Sequence, residues 1–257
     1  MSTRRRLDAE LVRRGLAPSR EQAQEAIAAG RVLVGGAVAD KAARQVAPGD
    51  PVELVGDPPR FVGRGGEKLD AALQRFAIDV TDRRGLDAGA STGGFTDCLL
   101  QRGARQVVAV DVGYGQIHER LRADPRVVVK ERTNIRAFAD PDPFDIVVAD
   151  LSFISLRTVA PTLASWPTAD VVVLVKPQFE VGRQDASRGR GVIRDPGLWL
   201  QSLEGVRAAM AQAGAAMMEA MVSPLRGADG NVEFLAWFRA AESSSTSVDL
   251  AAVVEQA

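Results

Sequence analysis

Hydrophobic and polar positions follow two different schedules along this chain, and the change falls between residues 60 and 68. In the first part, RRRLDAELVRRG places Leu7, Leu11 and Val12 on one helical face, with Gly15 as a stop. SREQAQEAIAAG predicts a second helix: Ser19 is a good N-cap, Gln22 stands three residues later, and Gly30 ends it. RVLVGGAVADKAARQVAPGDPVEL then reads as short β segments cut by Gly35-Gly36 and Pro48-Gly49-Asp50 turns. A small helix-helix-strand unit is therefore expected over residues 1–59. The two prolines of GDPPRF suggest a semi-rigid connection, and residues 60–67 are assigned to a linker.

From residue 68 onward amphipathic helical stretches alternate with short apolar runs. KLDAALQRFAI and QSLEGVRAAMAQAG predict helices, whereas GLDAGAS, QVVAVDV, RVVVKERTN, FDIVVADLS, DVVVLVKPQ and NVEFLAWFR predict strands. The run VVVLV is β-branched and continuous, the pattern of a central strand buried on both faces. It ends in Lys176 and Pro177, so a lysine stands where the ladder must stop. This rhythm implies an α/β domain with a Rossmann-like, mostly parallel sheet over residues 68–241. A flexible tail is expected over 242–257, beginning with the polar run SSSTS.

Composition narrows the chemistry. The only cysteine is Cys98 and the only histidine is His118, which removes disulfide frameworks, cysteine zinc clusters and multi-histidine metal sites from consideration. No apolar run reaches membrane-spanning length and the start lacks a signal-peptide core, so a cytoplasmic protein without a membrane partner is expected. The formal net charge of −1 hides an asymmetry: Arg4, Arg5, Arg6, Arg13, Arg14 and Arg20 face only Asp8 and Glu10 within the first twenty residues. Such a face suits an acidic partner, and it suits plain solvation too. Arg60 and Arg64 extend the basic run into the linker. In the loop SRGRG further arginines either meet phosphate or stay hydrated.

The segment LDAGASTGGF leads from a strand into a helix. Asp87, Gly89, Ala90, Ser91, Gly93, Gly94 and Phe95 form a glycine turn whose spacing is neither the dinucleotide G-x-G-x-x-G nor a P-loop. Asp111, followed by Val112, ends the next strand, where an acid can accept from the two hydroxyls of a ribose. Asp87 would repel a pyrophosphate and attract a cationic amine, so S-adenosylmethionine fits these features better than NAD. Asn134 follows the third strand and could meet the adenosine, or serve as a turn residue. Asp150 follows the fourth, as a site residue or as a helix N-cap.

Asp150 and Lys176 end strands expected to be neighbours, and Glu233 lies in the late strand. If Lys68, after the glycines of VGRGGEK, folds over the same edge, two amines and two carboxylates converge. Such a group is either a structural ion network or a device for removing a proton from a weakly nucleophilic hydroxyl during methyl transfer. Phe153 and Phe179 follow these strands and could stack on a displaced base, or belong to the core.

These blocks, from RRRLDAELVRRGLAPSREQAQEAIAAGRVLV through RGGEKL, LDAGASTGGFTD, VDVGYGQI, RTNIR, DLSFISL and LVKPQFE to SPLRGADGNVEFLAWF, resemble the haemolysin A, or TlyA, family. The resemblance implies an alpha-L RNA-binding domain joined to an FtsJ-like methyltransferase domain dependent on S-adenosylmethionine. It further implies that Lys68, Asp150, Lys176 and Glu233 match the family's Lys-Asp-Lys-Glu tetrad, and that the acceptor is a cytidine 2′-hydroxyl in ribosomal RNA. The arginine-rich start resembles members acting on both small- and large-subunit RNA. His118, where family sequences often carry a bulkier residue, departs from the pattern. Expected partners are ribosomal RNA and ribosomal subunits, met through Arg4, Arg5, Arg6, Arg13, Arg14 and Arg20 of the first unit and Arg60 and Arg64 of the linker region, with no metal and with a monomer favoured. The competing readings are a non-catalytic ribosome-assembly factor, a membrane-active haemolysin, and an enzyme acting on small hydroxylated molecules, which would not explain the basic first unit.

Overall fold

The computed structural model describes residues 4–17, 19–56, 59–182, 191–227, 229–240 and 248–257. The arginines of SRGRG up to residue 190 and the SSSTS run lie outside the described residues. The chain divides into two compact units, Met1–Arg60 and Phe61–Ala257.

In the first unit, β1 (Arg5–Arg6) leads into α1 (Leu7–Arg13) and α2 (Arg20–Ala28). Strands β2 (Val32–Val34), β3 (Ala37–Val38) and β5 (Val52–Leu54) form a small antiparallel sheet, while β4 (Gln45–Val46) pairs with β1. Leu7, Leu11, Ala23, Ile27, Val32 and Val46 close its core. Ser19 caps α2 as the sequence predicts, with Oγ accepting from Gln22 N at 3.2 Å. The first helix starts later than its periodicity implies, because Arg5 and Arg6 are extended and give their main chain to Gln45–Val46.

The second unit opens with α3 (Gly65–Arg75), which begins inside the stretch assigned to a linker. Phe61 and Val62 are buried in the core under this helix, and removing two such side chains from water favours order over extension. A seven-stranded sheet follows, in the order β11-β12-β10-β9-β6-β7-β8. Its members are β6 (Arg84–Ala88), β7 (Gln106–Val110), β8 (Val127–Lys130), β9 (Ile146–Ala149), β10 (Asp170–Val175), β11 (Ala215–Val222) and β12 (Phe234–Ala240). Between them lie α4 (Gly94–Gln101), α5 (Glu119–Arg122), α6 (Leu156–Leu163), α7 (Pro177–Glu180) and α8 (Pro196–Gln212).

All six residues of β10 are buried, and they alternate between two cores: Val171, Val173 and Val175 face one, Val172 and Leu174 the other. That two-sided burial is what the continuous VVVLV run requires. β11 has no counterpart among the expected elements. AAMMEAMV carries helix-favouring residues, and cross-strand pairing with β12 overrides that local preference. The tail also differs from expectation beyond residue 247. Asp249 caps α9 (Leu250–Val254) by accepting from Ala252 N at 3.1 Å, and Leu250, Val253 and Val254 are buried in the core.

Topology decides where a ligand can sit. Strands β6, β7 and β8 are laid down in one direction from β6, after which the chain returns to place β9 and β10 on its other side. The reversal opens a crevice at the carboxyl ends of β6 and β9. β12 runs antiparallel to β10, pairing Phe234 with Val175, so its amino end reaches this same edge.

Candidate active site

Four charged side chains meet at that edge as two pairs. Asp150 follows β9 and Lys176 follows β10; Lys176 Nζ stands 2.5 Å from Asp150 Oδ1 and donates to Ser152 Oγ at 3.1 Å. The contact with Asp150 is an ion pair with poor hydrogen-bond alignment, since Oδ1 is buried and has no well-directed donor. Lys68 Nζ donates to Glu233 Oε2 at 2.5 Å, with both side chains more than nine-tenths buried. Lys68 reaches the edge because α3 packs on α4 through Leu69, Ala72 and Leu73. Glu233 directly precedes β12 instead of lying inside it, and the antiparallel register sets it one residue beyond the Val175–Phe234 pair, opposite Lys176. A Cβ on Gly65, at the start of α3, would stand 3.9 Å from Asp150 Oδ2, so the helix bearing Lys68 also passes Asp150. Asp150 is not a helix cap; Ser155 takes that role for α6.

A cavity of about 450 Å³ lies beside the Lys176–Asp150 pair, lined by Gly89, Ser91, Asp111, Val112, Asn134 and Asp150 from the expected set. Gln116, Thr133, Ile135 and the whole run Leu151–Ile154 also line it, and no local signal in the sequence marks them as cofactor contacts. Asp111 fixes the loops around the cavity by accepting from Ser91 N at 2.8 Å and Gly113 N at 2.6 Å. Asn134 accepts from Arg136 N at 3.0 Å.

The remaining glycine-loop residues stand behind the wall. Ala90 and Phe95 are buried, and a Cβ on Gly93 or Gly94 would meet Leu121 at 2.3 Å or Gly66 N at 3.0 Å, so these two glycines serve helix packing. Gly89 alone of the three expected glycines borders the cavity; its φ is +86°, and a Cβ there would meet the Asp150 carbonyl at 2.5 Å. Asp87 is fully buried. Its Oδ2 accepts from Thr96 N at 2.9 Å and Thr96 Oγ1 at 2.6 Å, while Oδ1 has no partner. Burial pushes this carboxyl up to about 7, with the neighbouring Asp150 charge adding to the shift.

Two further groups shape the site. Phe153 is 92% exposed, has φ +64°, and places its ring 5.3 Å from that of Phe179. A bulky residue in that backbone region is strained, and strain of this kind concentrates in working loops. Glu180, at the end of α7, is buried and accepts from Ser155 Oγ at 2.6 Å and Leu156 N at 2.7 Å, which ties the segment after Lys176 to the segment after Asp150. Burial raises its carboxyl. LVKPQFE and DLSFISL contain these residues, but nothing local in either string says that they touch.

The arginines expected to meet RNA divide into classes. Arg4 and Arg5 are exposed. Arg6 and Arg20 donate to Asp8, and Arg13 donates to Glu10 through two nitrogens at 2.8 and 2.6 Å. Arg14 donates to Glu10 and to the carbonyls of Asp50, Ala47 and Pro48. It is therefore a staple of the first unit, with less of its side chain exposed than Arg6, Arg13 or Arg20. Arg60 is exposed, and Arg64 donates to the Arg226 carbonyl at 2.5 Å.

A larger cavity, about 620 Å³, opens at the amino edge of the sheet, where Arg83 and Arg239 surround Asp170. Asp170 is buried and accepts from Arg83 at 2.6 Å, Trp237 at 2.9 Å and Arg239 at 2.5 Å, so its charge is spent joining β10 to β12.

Comparison with known proteins agrees with this geometry. The FtsJ-like methyltransferase model matches residues 61–240 and the S4 domain model matches residues 5–52. A Mycobacterium tuberculosis protein named 16S/23S rRNA (cytidine-2′-O)-methyltransferase TlyA is 52% identical over 93% of this chain and 91% of its own. Hemolysin A of Brachyspira hyodysenteriae is 40% identical over 91% of this chain and 99% of its own. A solved structure of a hemolysin-named protein from Streptococcus thermophilus superposes with a TM-score of 0.76 at 37% identity, covering 100% of this chain and 96% of that one. Among the described residues no helix is long and apolar enough to cross a membrane. The methyltransferase sheet with its acid–amine edge, the S4 unit before it and the near full-length identities converge: the chain belongs to the TlyA family of FtsJ-like methyltransferases.

Proposed function

We propose that this protein methylates the 2′-hydroxyl of cytidine riboses in ribosomal RNA of both subunits, using S-adenosylmethionine, and that it meets its substrate in the cytoplasm. The observation that carries the reading is the pairing of Lys176 with Asp150 beside the switch-point cavity, with Lys68 paired to Glu233 at the same sheet edge. The cavity suits a nucleoside donor. Asp111 retains acceptor capacity for ribose hydroxyls beyond its two backbone bonds, and the orphaned Asp87 Oδ1 lies in the strand below the glycine turn. When bound, the cofactor supplies an electrophilic methyl group on a sulfonium sulfur.

Everything else falls to the chain's own groups. A ribose hydroxyl is a weak nucleophile, so it must be aimed and relieved of its proton. Lys176 Nζ takes that proton only after giving up its own to solvent and entering the step as the neutral amine; Asp150 and Ser152 Oγ hold the amine in place and stabilise the ammonium that results. Lys68 and Glu233 form the second, buried pair at this edge, from which Glu233 would orient the hydroxyl or an amine. Phe153 offers an exposed face on which an unstacked base can rest. The dual-subunit reading rests on the close identity to the Mycobacterium tuberculosis relative, whose name includes both RNAs.

The test is methyl transfer to purified 16S and 23S ribosomal RNA and to intact subunits, comparing wild type with Lys176→Ala and mapping the product by a ribose-specific method. Methylated cytidine riboses that disappear in the variant are expected. Purified wild-type protein that leaves every ribose at background would end the assignment.

A further inference from the structure

Asp8 lies in the most basic stretch of the chain and is the least exposed acid in it, at 0%. Its carboxylate accepts from five donors. Oδ1 receives Arg6 Nε at 3.1 Å and Ala9 N at 2.8 Å; Oδ2 receives Arg6, Arg20 and Gln24 side-chain nitrogens, each at 2.9 Å. Five donors exceed the roughly four lone-pair sites a carboxylate offers, so nothing further can bind it. The two guanidinium groups, by contrast, keep free N–H groups and remain exposed, at 44% for Arg6 and 57% for Arg20. Arg6 comes from β1 and Arg20 from the start of α2, so the acid joins cations from two elements that sequence separates.

Two guanidinium groups repel when brought together, and each loses side-chain freedom when it is held still. A buried carboxylate between them removes the first cost and imposes the second before any ligand arrives. Phosphate groups have fixed spacing along an RNA strand, so cations held at fixed spacing bind them with less ordering at the moment of contact.

We propose that Asp8 is a positioning residue for RNA: it sets Arg6 and Arg20 as a two-pronged clamp for backbone phosphate, and its own negative charge strengthens RNA binding. This rests on the reading of the protein as an RNA methyltransferase. The sign separates it from simple electrostatics, under which losing an acid from a basic face would tighten binding to a polyanion.

Full-length wild type, Asp8→Asn, Arg6→Lys and Arg6→Ala/Arg20→Ala are measured for filter binding to full-length 16S ribosomal RNA transcript across a potassium chloride series, and for steady-state methylation. Asp8→Asn is expected to weaken binding about tenfold and to lower the slope of log affinity against log salt by about one. KM for RNA rises with kcat unchanged, a split that a general loss of fold would not give. Arg6→Lys keeps the charge but loses the two-nitrogen grip on Asp8; it weakens binding by a similar factor and keeps the variant set informative if Asp8→Asn melts early. Tighter or equal binding by a folded Asp8→Asn, or Arg6→Lys binding as wild type, would overturn the positioning role. If instead Arg6→Ala/Arg20→Ala binds RNA as wild type does, this face does not meet RNA and the proposal fails with it, whereas failure of the methylation reading shows as unmethylated RNA with the wild-type protein.

Discussion

The acid at Asp8 and the acid at Asp150 both stand among cations, and the two clusters are finished differently. Around Asp8 every acceptor site is taken, by five donors with ordinary hydrogen-bond lengths. Around Asp150 the amine of Lys176 approaches one oxygen closely but without alignment, and Ser152 supplies a second contact to the amine. A saturated carboxylate can only hold. An unsaturated one, a quarter exposed beside a cavity, can still exchange partners as a proton moves. Hydrogen bonds and neighbouring cations push the Asp8 carboxyl far down, with Arg6 the largest cause, and hold Glu10 at about 2 through Arg13 first. These acids stay charged through any working pH and act as fixed struts.

The largest expected effect breaks the open cluster. Lys176→Ala is expected to lower methyl transfer by about a thousandfold, the range of a lost general base, with calorimetric cofactor affinity within about threefold of wild type. Equal activity in the variant would make the pair a structural ion bridge like that at Asp8. Next comes the buried pair behind it. Lys68→Met leaves Glu233 charged and alone, which is expected to cost about 3–5 kcal/mol in denaturant unfolding. Adding Glu233→Leu should recover most of that stability without recovering activity, separating the fold's need for a neutral wall from the reaction's need for the charges.

Asp87 lies between the two extremes, with one oxygen saturated and the other orphaned. Its folded value, about 7, is above the ordinary carboxylate value of 3.8, so the folded state holds the proton more tightly than the unfolded chain. The stability this gives is complete below about pH 4 and is lost as pH rises to 7, by a few kcal/mol. Urea unfolding of the cofactor-free protein is expected to show this decline, and Asp87→Asn to flatten it. The smallest effect concerns the exposed ring. Phe153→Ala is expected to lower kcat/KM for RNA by about tenfold, the worth of one base–aromatic stack, while leaving the thermal midpoint unchanged because the ring is 92% exposed.

Much of the α/β frame is legible in the string because burial leaves a local trace. A strand covered on both faces must be apolar throughout, and VVVLV, IVVA and QVVAV say so without help. The resemblance also names Lys68, Asp150, Lys176 and Glu233 before any geometry is seen. Other elements are silent. AAMMEAMV has the composition of a helix and becomes a strand only because β12 is there to pair with it. Phe61 and Val62 look like linker residues until the helix beginning at Gly65 covers them.

What the sequence determined by itself was the set of chemical groups and the ends of strands on which most of them sit, since both follow from neighbours within a few positions. Tertiary structure decided which groups share a site. Lys68 meets Glu233 across 165 positions because α3 packs on the sheet and β12 runs backward. It also decided which glycines touch the cavity and which arginines are already taken, because close packing and hydrogen-bond saturation are properties of atoms brought together in space, and the spacing along a chain carries no record of either.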